Sequence, residues 1–207
     1  MRAVDVADDP EAWTRAGFAV TDSEVRFGGL TLRCTGTGPV AGITGWALDP
    51  PPDGPVDGLA LAEVAESWLS TPSAHPNTAV GIDHLVIASA DLDRTTAAFA
   101  ELGWQARRTV ADPRGGPRRM RFFVVPAVDR DLLVEVVAGG DPEPEVTAFW
   151  GLAITVADLD EAARLLGDAL GPVTDAVQPG RRIARVRGRD LGLTVPLALM
   201  SRRSSHD

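Results

Sequence analysis

Two side chains of this 207-residue chain have the types and the setting that proton-transfer or metal chemistry uses, His84 and Glu135. His84 lies in the apolar run Ile82-Asp-His-Leu-Val-Ile-Ala-Ser89, and Glu135 lies in Leu132-Leu-Val-Glu-Val-Val137. Both runs are short and rich in β-branched residues, so both read as strands. Alternate residues of a strand share a face, which groups His84 with Val86, and Glu135 with Leu133 and Val137. A lone carboxylate among Leu133, Val134, Val136 and Val137 is costly to bury without a partner. Glu135 is therefore expected to point into a cleft or onto a solvated surface. The plain alternatives are an exposed acid on one side of a strand and a satisfied core histidine. Without metal, the two groups can act as general acid and base on a carbon acid, which needs only proximity and suitable pKa values.

Little else competes for a chemical role. His75 falls in a polar connector with two prolines, 71–78, and His206 in a polar tail from Ser201, so neither is expected as a ligand. Asp83 is expected to face away from His84. Arg118, Arg119 and Arg121, with Arg181, Arg182, Arg185 and Arg187, are read as solvated strand faces, the alternative being guanidinium groups near an anionic ligand. Trp104 and Trp150 are expected to pack rather than stack on a ligand. Gly28-Gly29 and Gly115-Gly116 are turn or bend elements and match no phosphate-loop pattern.

Composition excludes some classes. Net charge is −9 with a pI near 4.8, which repels phosphate backbones and argues against nucleic acid. No apolar run approaches the ~20 residues of a membrane span. The first ten residues lack the basic start and apolar core of a signal peptide. Cys34 is the single cysteine, so no internal disulfide forms, which fits a cytoplasmic location. Residues 1–80 carry a net charge of −7 and residues 81–207 carry −2, which sets the N-terminal third apart.

The elements that must position His84 and Glu135 follow from a repeat. Ile82–Asp93 recurs as Phe149–Asp160, sixty-seven residues later, with six of twelve positions identical and Ala-Asp-Leu-Asp ending both. Each copy reads as a buried strand running into an Asp-capped helix. Three further strands follow the helix of the first copy, over 104–110, 118–125 and 131–138. In the second, 181–187 and 191–199 supply the later strands, with Gly188-Arg189-Asp190 as a turn. Residues 1–49 read as strand, short helix and three strands in the same order. Residues 49–58 are a Pro/Gly linker, and Leu59–Leu69 has the spacing of a short amphipathic helix. The chain thus divides into 1–50, a linker over 51–79, and a paired unit over 80–203 with modules at 80–140 and 147–203.

Two tandem βαβββ modules opening with Ile82-Asp-His-Leu-Val-Ile and running into Ala-Asp-Leu-Asp resemble the vicinal oxygen chelate superfamily. Glyoxalase I, extradiol dioxygenases and the fosfomycin- and bleomycin-resistance proteins belong to it. The resemblance covers residues 80–200, and residues 1–50 look like a degenerate third module. It implies an α+β fold in which paired curved sheets enclose a cleft, and a divalent Zn, Fe, Mn or Ni ion held from the first and last strands of each module. Here His84 and Glu135 stand at the metal-ligand and catalytic positions of the first module. In the second, His84 corresponds to Gly151 and Glu135 to Thr194, which leaves two expected ligands where three is the usual minimum.

The resulting expectation is a glyoxalase-like lyase or isomerase acting on a small oxygenated metabolite. The alternatives are a metal-free small-molecule-binding protein like the bleomycin-resistance members, or a non-catalytic structural or partner-binding protein. The N-terminal module is expected to pack on the pair through the 59–69 helix or to complete a homodimer.

Overall fold

The computed structural model describes residues 1–64, 71–112, 115–127, 131–140 and 143–202. Its α+β architecture comprises two sheets. The smaller holds β1 (Ala3–Val6), β2 (Glu24–Arg26), β3 (Thr31–Cys34) and β4 (Ile43–Ala47) in the order β2-β3-β1-β4, with α1 (Pro10–Arg15) following β1. The larger has eight strands. Its first half contains β5 (Ala79–Ala88), α2 (Leu92–Glu101), β6 (Ala106–Ala111), β7 (Arg119–Val125) and β8 (Leu132–Ala138). The second half contains β9 (Ala148–Val156), α3 (Leu159–Leu166), β10 (Thr174–Asp175), β11 (Arg182–Arg185), the short α4 (Gly188–Leu191) and β12 (Leu197–Ser201). The order is β10-β11-β12-β9-β5-β8-β7-β6.

The two repeated strands are therefore neighbours. β5 and β9 pair antiparallel at the centre of the sheet, and each has the last strand of its own half, β8 or β12, as its parallel partner. The strands run straight into equivalent helix starts. Asp91 Oδ1 accepts the amides of Asp93 and Arg94, and Asp158 Oδ1 accepts those of Asp160 and Glu161, which satisfies helix donors that have no partner within the helix. Leu85, Ile87, Leu152, Ile154 and Val156 are buried on one side of the central pair, together with Leu92 and Phe99 of α2 and Leu159 and Leu166 of α3.

The N-terminal unit repeats the element order but not the pairing. In each half of the large sheet the first strand lies parallel to the last, whereas β1 lies between β3, its parallel neighbour, and β4, its antiparallel one. Its docking also differs from expectation. Residues 59–62 are extended, because the edge of β4 offers free backbone groups: Trp46 N–H donates to Ala60 O at 3.3 Å and Ala62 N–H donates to Trp46 O at 2.9 Å. The remainder of the expected helix, 65–70, lies outside the described residues. Trp46 packs on Phe99, Trp104 and Phe149 at centroid distances of 5.9, 5.6 and 5.3 Å, so Trp104 is a packing residue.

Buried acids reinforce the junction. Asp57 accepts from Thr147 Oγ1 at 2.8 Å and from Arg94 Nε at 2.6 Å. Asp8 is fully buried. It accepts from Trp13 Nε1 at 3.1 Å, and from Thr194 N and Oγ1 at 2.7 and 2.6 Å. The expected strand over 191–199 starts late for a local reason. Gly192 takes φ +84° to end α4, and the ladder begins only after Pro196, which has no amide hydrogen to donate.

Replacing Asp8 by Ala leaves the buried Trp13 Nε1 without its acceptor and breaks the tie to Thr194. A loss of ~3 kcal/mol in urea unfolding is expected, with a smaller loss for Asp8→Asn. An Asp8→Ala variant as stable as the wild type would show that this junction contributes little.

Candidate active site

The site begins with an irregularity in β5. Ile82 lies opposite Ile154 and His84 opposite Ala153, so two steps along β5 match one along β9 and Asp83 is the extra residue. A bulge of this kind re-aims side chains. Asp83 therefore does not face away from His84, as simple alternation predicts; its Oδ1 lies 2.9 Å from His84 Nδ1. On the other side of the imidazole, Nε2 lies 3.6 Å from Glu135 Oε2. β8 brings Glu135 there because it runs parallel beside β5, with Leu133 opposite His84 and Glu135 opposite Val86. Leu132, Val134 and Val136 are buried on the helix side, while Leu133, Glu135 and Val137 are partly open. The two side chains are only 11% and 18% exposed, so Glu135 is neither a solvated surface acid nor sealed in core.

Three residues that sequence reasoning left out complete the cluster. Arg181 is buried, contrary to its reading as part of a solvated face. Its Nη2 donates to Asp83 Oδ2 at 2.5 Å and its Nε donates to Ser201 O at 2.8 Å. Thr155 Oγ1 donates to the same Asp83 oxygen at 2.9 Å. The cluster therefore runs Glu135, His84, Asp83, then Arg181 with Thr155. Adjacency to His84 was the one available signal for Asp83. Arg181 is not distinguishable in sequence from the arginines around it.

The two carboxylates are driven in opposite directions. Burial by itself would raise Asp83, but hydrogen bonds from His84 and Arg181, with their charges, outweigh it and hold the carboxyl well below the usual range. Among the described residues, no such donor reaches Glu135. Burial raises its pKa, and the opposing attraction of His84 does not cancel the effect. One acid stays ionised while the other is poised to exchange a proton, a division of labour that acid–base sites use.

The second half explains its own lack of ligands. A Cβ on Gly151 would stand 2.7 Å from Pro196 O and 3.2 Å from Pro196 Cβ, so the position equivalent to His84 admits no side chain without displacing backbone. The sequence equivalence of Glu135 with Thr194 does not hold. Leu152 pairs with Leu197 and Ala153 with Ala198, so the residue related to Glu135 by strand pairing is Ala198. Thr194 instead serves the Asp8 junction. Among the described residues, no group of three His, Cys, Asp or Glu side chains could hold a metal ion. His84 Nε2 and Glu135 make two donors, Asp83 is committed to His84 Nδ1 and Arg181, and three protein ligands are the usual requirement. The donor set does not fit the implied divalent ion.

His75 does not approach the cluster. His75 belongs to the N-terminal core, between Phe18 and Phe27, with Nδ1 accepting the Ala19 amide at 3.1 Å. His206 lies outside the described residues. Cys34 is no nucleophile, since burial, aided by the charges of Asp8 and Asp9, pushes its thiol up to about 12. A cavity of about 360 Å³ lies at the start of α2, lined by Asp91, Asp93, Arg119 and Glu143 among others, and includes neither His84 nor Glu135.

The arginines divide by face. On the helix side, Arg121 pairs with Asp93 at 2.8 Å and Arg182 with Asp160 at 2.8 Å. On the His84 face, Arg108 lies opposite Phe122, which lies opposite Glu135. Arg185 is reached from His84 through Ala153 and Ala198. Among the described residues no acid pairs with either. Trp150 is 47% exposed, so its expected packing role is only partly met.

No protein-family profile matches the chain, and no curated protein matches its sequence. Over about 60% of its length the chain is structurally similar to solved methylmalonyl-CoA epimerases. The Mycobacterium tuberculosis protein is 21% identical, with a TM-score of 0.48, over 60% of this chain and 89% of that one. The Streptomyces coelicolor protein in complex with 2-nitronate-propionyl-CoA is 19% identical, with a TM-score of 0.49, over 62% and 99%. A methylmalonyl-CoA epimerase in complex with methylmalonyl-CoA and NH4+ is 20% identical, with a TM-score of 0.48, over 61% and 97%.

The raised pKa of Glu135 has a stability consequence. A carboxyl whose folded pKa lies above its unfolded value favours folding below the unfolded pKa, and that contribution is lost as pH rises through the folded value. Glu135→Gln is therefore expected to melt higher than the wild type at pH 8, with the gap closing toward pH 4. A lower melting temperature for the variant at pH 8 would contradict the direction of the shift.

Proposed function

We propose that this protein is an isomerase or lyase that moves a proton at a carbon acid without a metal ion, using Glu135 and His84. The observation that carries the reading is the 3.6 Å approach of Glu135 Oε2 to His84 Nε2 on the partly open face of the sheet. Glu135 is a carboxylate freed from strong donors, with its basicity increased by burial. It takes a proton from the carbon beside a carbonyl, breaking C–H and forming Glu135 O–H. The electron pair goes to the carbonyl oxygen as an enolate. Glu135 passes its proton to the bare Nε2 of His84, and that Nε2–H returns it to the carbon, which restores both groups. Atoms and charges close without an external oxidant, reductant or ion. A lyase differs only in that the enolate expels a leaving group.

The face around the pair supports a substrate class. Phe122, Leu133, Val86 and Ala153 supply apolar floor next to the two groups, while Arg108 and Arg185 stand on the same face with no acid paired to either among the described residues. In a chain with 29 acids and 20 basic residues, arginines left unpaired on one face favour a small carbon acid that carries a negative charge, such as a 2-oxo acid or an acidic thioester.

The reading is tested by proton exchange in D2O, followed by NMR on a panel of 2-oxo acids and α-substituted thioesters. Exchange that persists with EDTA and rises with pH through the ionisation of Glu135 is expected. Glu135→Gln should lower it by about 10²–10⁴-fold, the usual contribution of a positioned base, and His84→Gln should also lower it. Dependence on an added divalent ion would return the site to the metal chemistry the resemblance implies. Saturable binding of a panel member without any exchange would make the protein a small-molecule-binding one.

A further inference from the structure

Neither Gly151 nor Ala198 of the second half of the large sheet offers a ligand or a proton carrier, yet that half reaches the site through Thr155 and Arg181. Both act on Asp83, and Asp83 acts on His84. We propose that Asp83 is a positioning residue, held by Arg181 and Thr155, that sets the tautomer of His84 so that Nδ1 carries the hydrogen and Nε2 is the nitrogen left to work with Glu135. Its catalytic meaning rests on the proton-transfer reading above; its geometry does not.

The argument is one of donors and acceptors. Arg181 has hydrogens to give and no lone pair to offer, so whichever atom of residue 83 faces it must be an acceptor. At 2.5 Å from Arg181 Nη2 and 2.9 Å from Thr155 Oγ1, Asp83 Oδ2 is committed. That orients Oδ1, a second acceptor, toward His84 Nδ1 at 2.9 Å. An ionised carboxylate cannot donate, so the ring nitrogen facing it must carry hydrogen. The neutral imidazole then presents the lone pair of Nε2 to Glu135, able to receive the proton that Glu135 collects. Arg181 and Asp83 are 7% and 13% exposed and neutralise one another, so the arrangement is too enclosed for water to replace either partner readily. Arg181 is anchored in turn by the Ser201 carbonyl at the end of β12.

The same reasoning dictates what Asp83→Asn does. The asparagine must turn its oxygen to Arg181, and its NH2 group then faces His84 Nδ1. A donor in that position requires Nδ1 to be the lone-pair nitrogen and moves the hydrogen to Nε2. The substitution therefore inverts the tautomer while nearly preserving shape.

Nitrogen-15 NMR of the full-length protein with labelled histidine, at about pH 9, reads this directly. In the wild type the His84 Nδ1 resonance should be that of a protonated nitrogen and Nε2 that of a bare one. In Asp83→Asn the two should exchange, and proton exchange on the substrate panel should fall about 10²-fold or more, the scale on which a wrong tautomer disables a base. A wild-type spectrum with hydrogen on Nε2 overturns the proposal, and this holds even if the variant does not fold. An unchanged tautomer in a folded Asp83→Asn protein overturns it as well. If the tautomers invert while neither protein exchanges protons on the panel, Asp83 sets the tautomer as stated and the proton-transfer reading is what has failed.

Discussion

The antiparallel pairing of β5 with β9 is the constraint on which the remaining geometry depends. Two copies of one strand lie side by side from Ala79 opposite Val156 to Ala88 opposite Ala148, and each brings its own parallel neighbour. All eight strands are thereby joined in a single sheet, with α2 and α3 packed where Leu85, Ile87, Ile154 and Val156 are buried. The pairing is not regular. Its three register shifts each change which side chains share a side, and the one at Asp83 converts an alternating Asp-His sequence into a hydrogen-bonded pair. Since side chains alternate with period two, a single extra residue is enough to do this.

Duplication of the module did not produce a symmetric site. In the first half the strand pair β5 and β8 presents His84 and Glu135. In the second, β9 and β12 approach so closely that Gly151 has no room for a Cβ and the position paired as Glu135 is occupied by Ala198. That half supplies supporting charges instead, Arg181 against Asp83, with Thr155 beside them. An isolated carboxylate this enclosed would be driven to protonate. Hydrogen bonds from His84 and from the buried Arg181 guanidinium prevent that for Asp83, whereas among the described residues no such hydrogen bond offsets the burial of Glu135.

Much of this fold was legible because it rests on local signals. Alternating burial marks β8, and Asp91 and Asp158 announce helix starts through their own side chains. Residues 59–62 misled for the opposite reason: their apolar spacing suits a helix, but the open backbone edge of β4 binds 60–62 as an extended chain. Periodicity cannot register a competing hydrogen-bond partner that is distant in sequence.

Sequence alone determined that a strand running into an Asp-capped helix occurs twice, over 82–93 and 149–160, and it singled out His84 and Glu135 as the candidates for chemistry. Chemical type, spacing and capping are properties of short stretches, readable without knowing what lies across the sheet. Only the tertiary structure decided that the two lie 3.6 Å apart, that Asp83 turns toward His84 through a bulge, that Arg181 is buried rather than solvated, and that Gly151 is imposed by Pro196. Each of these depends on the register between strands far apart in the chain. Register is set by how whole strands pair and pack, not by the residues at any one position.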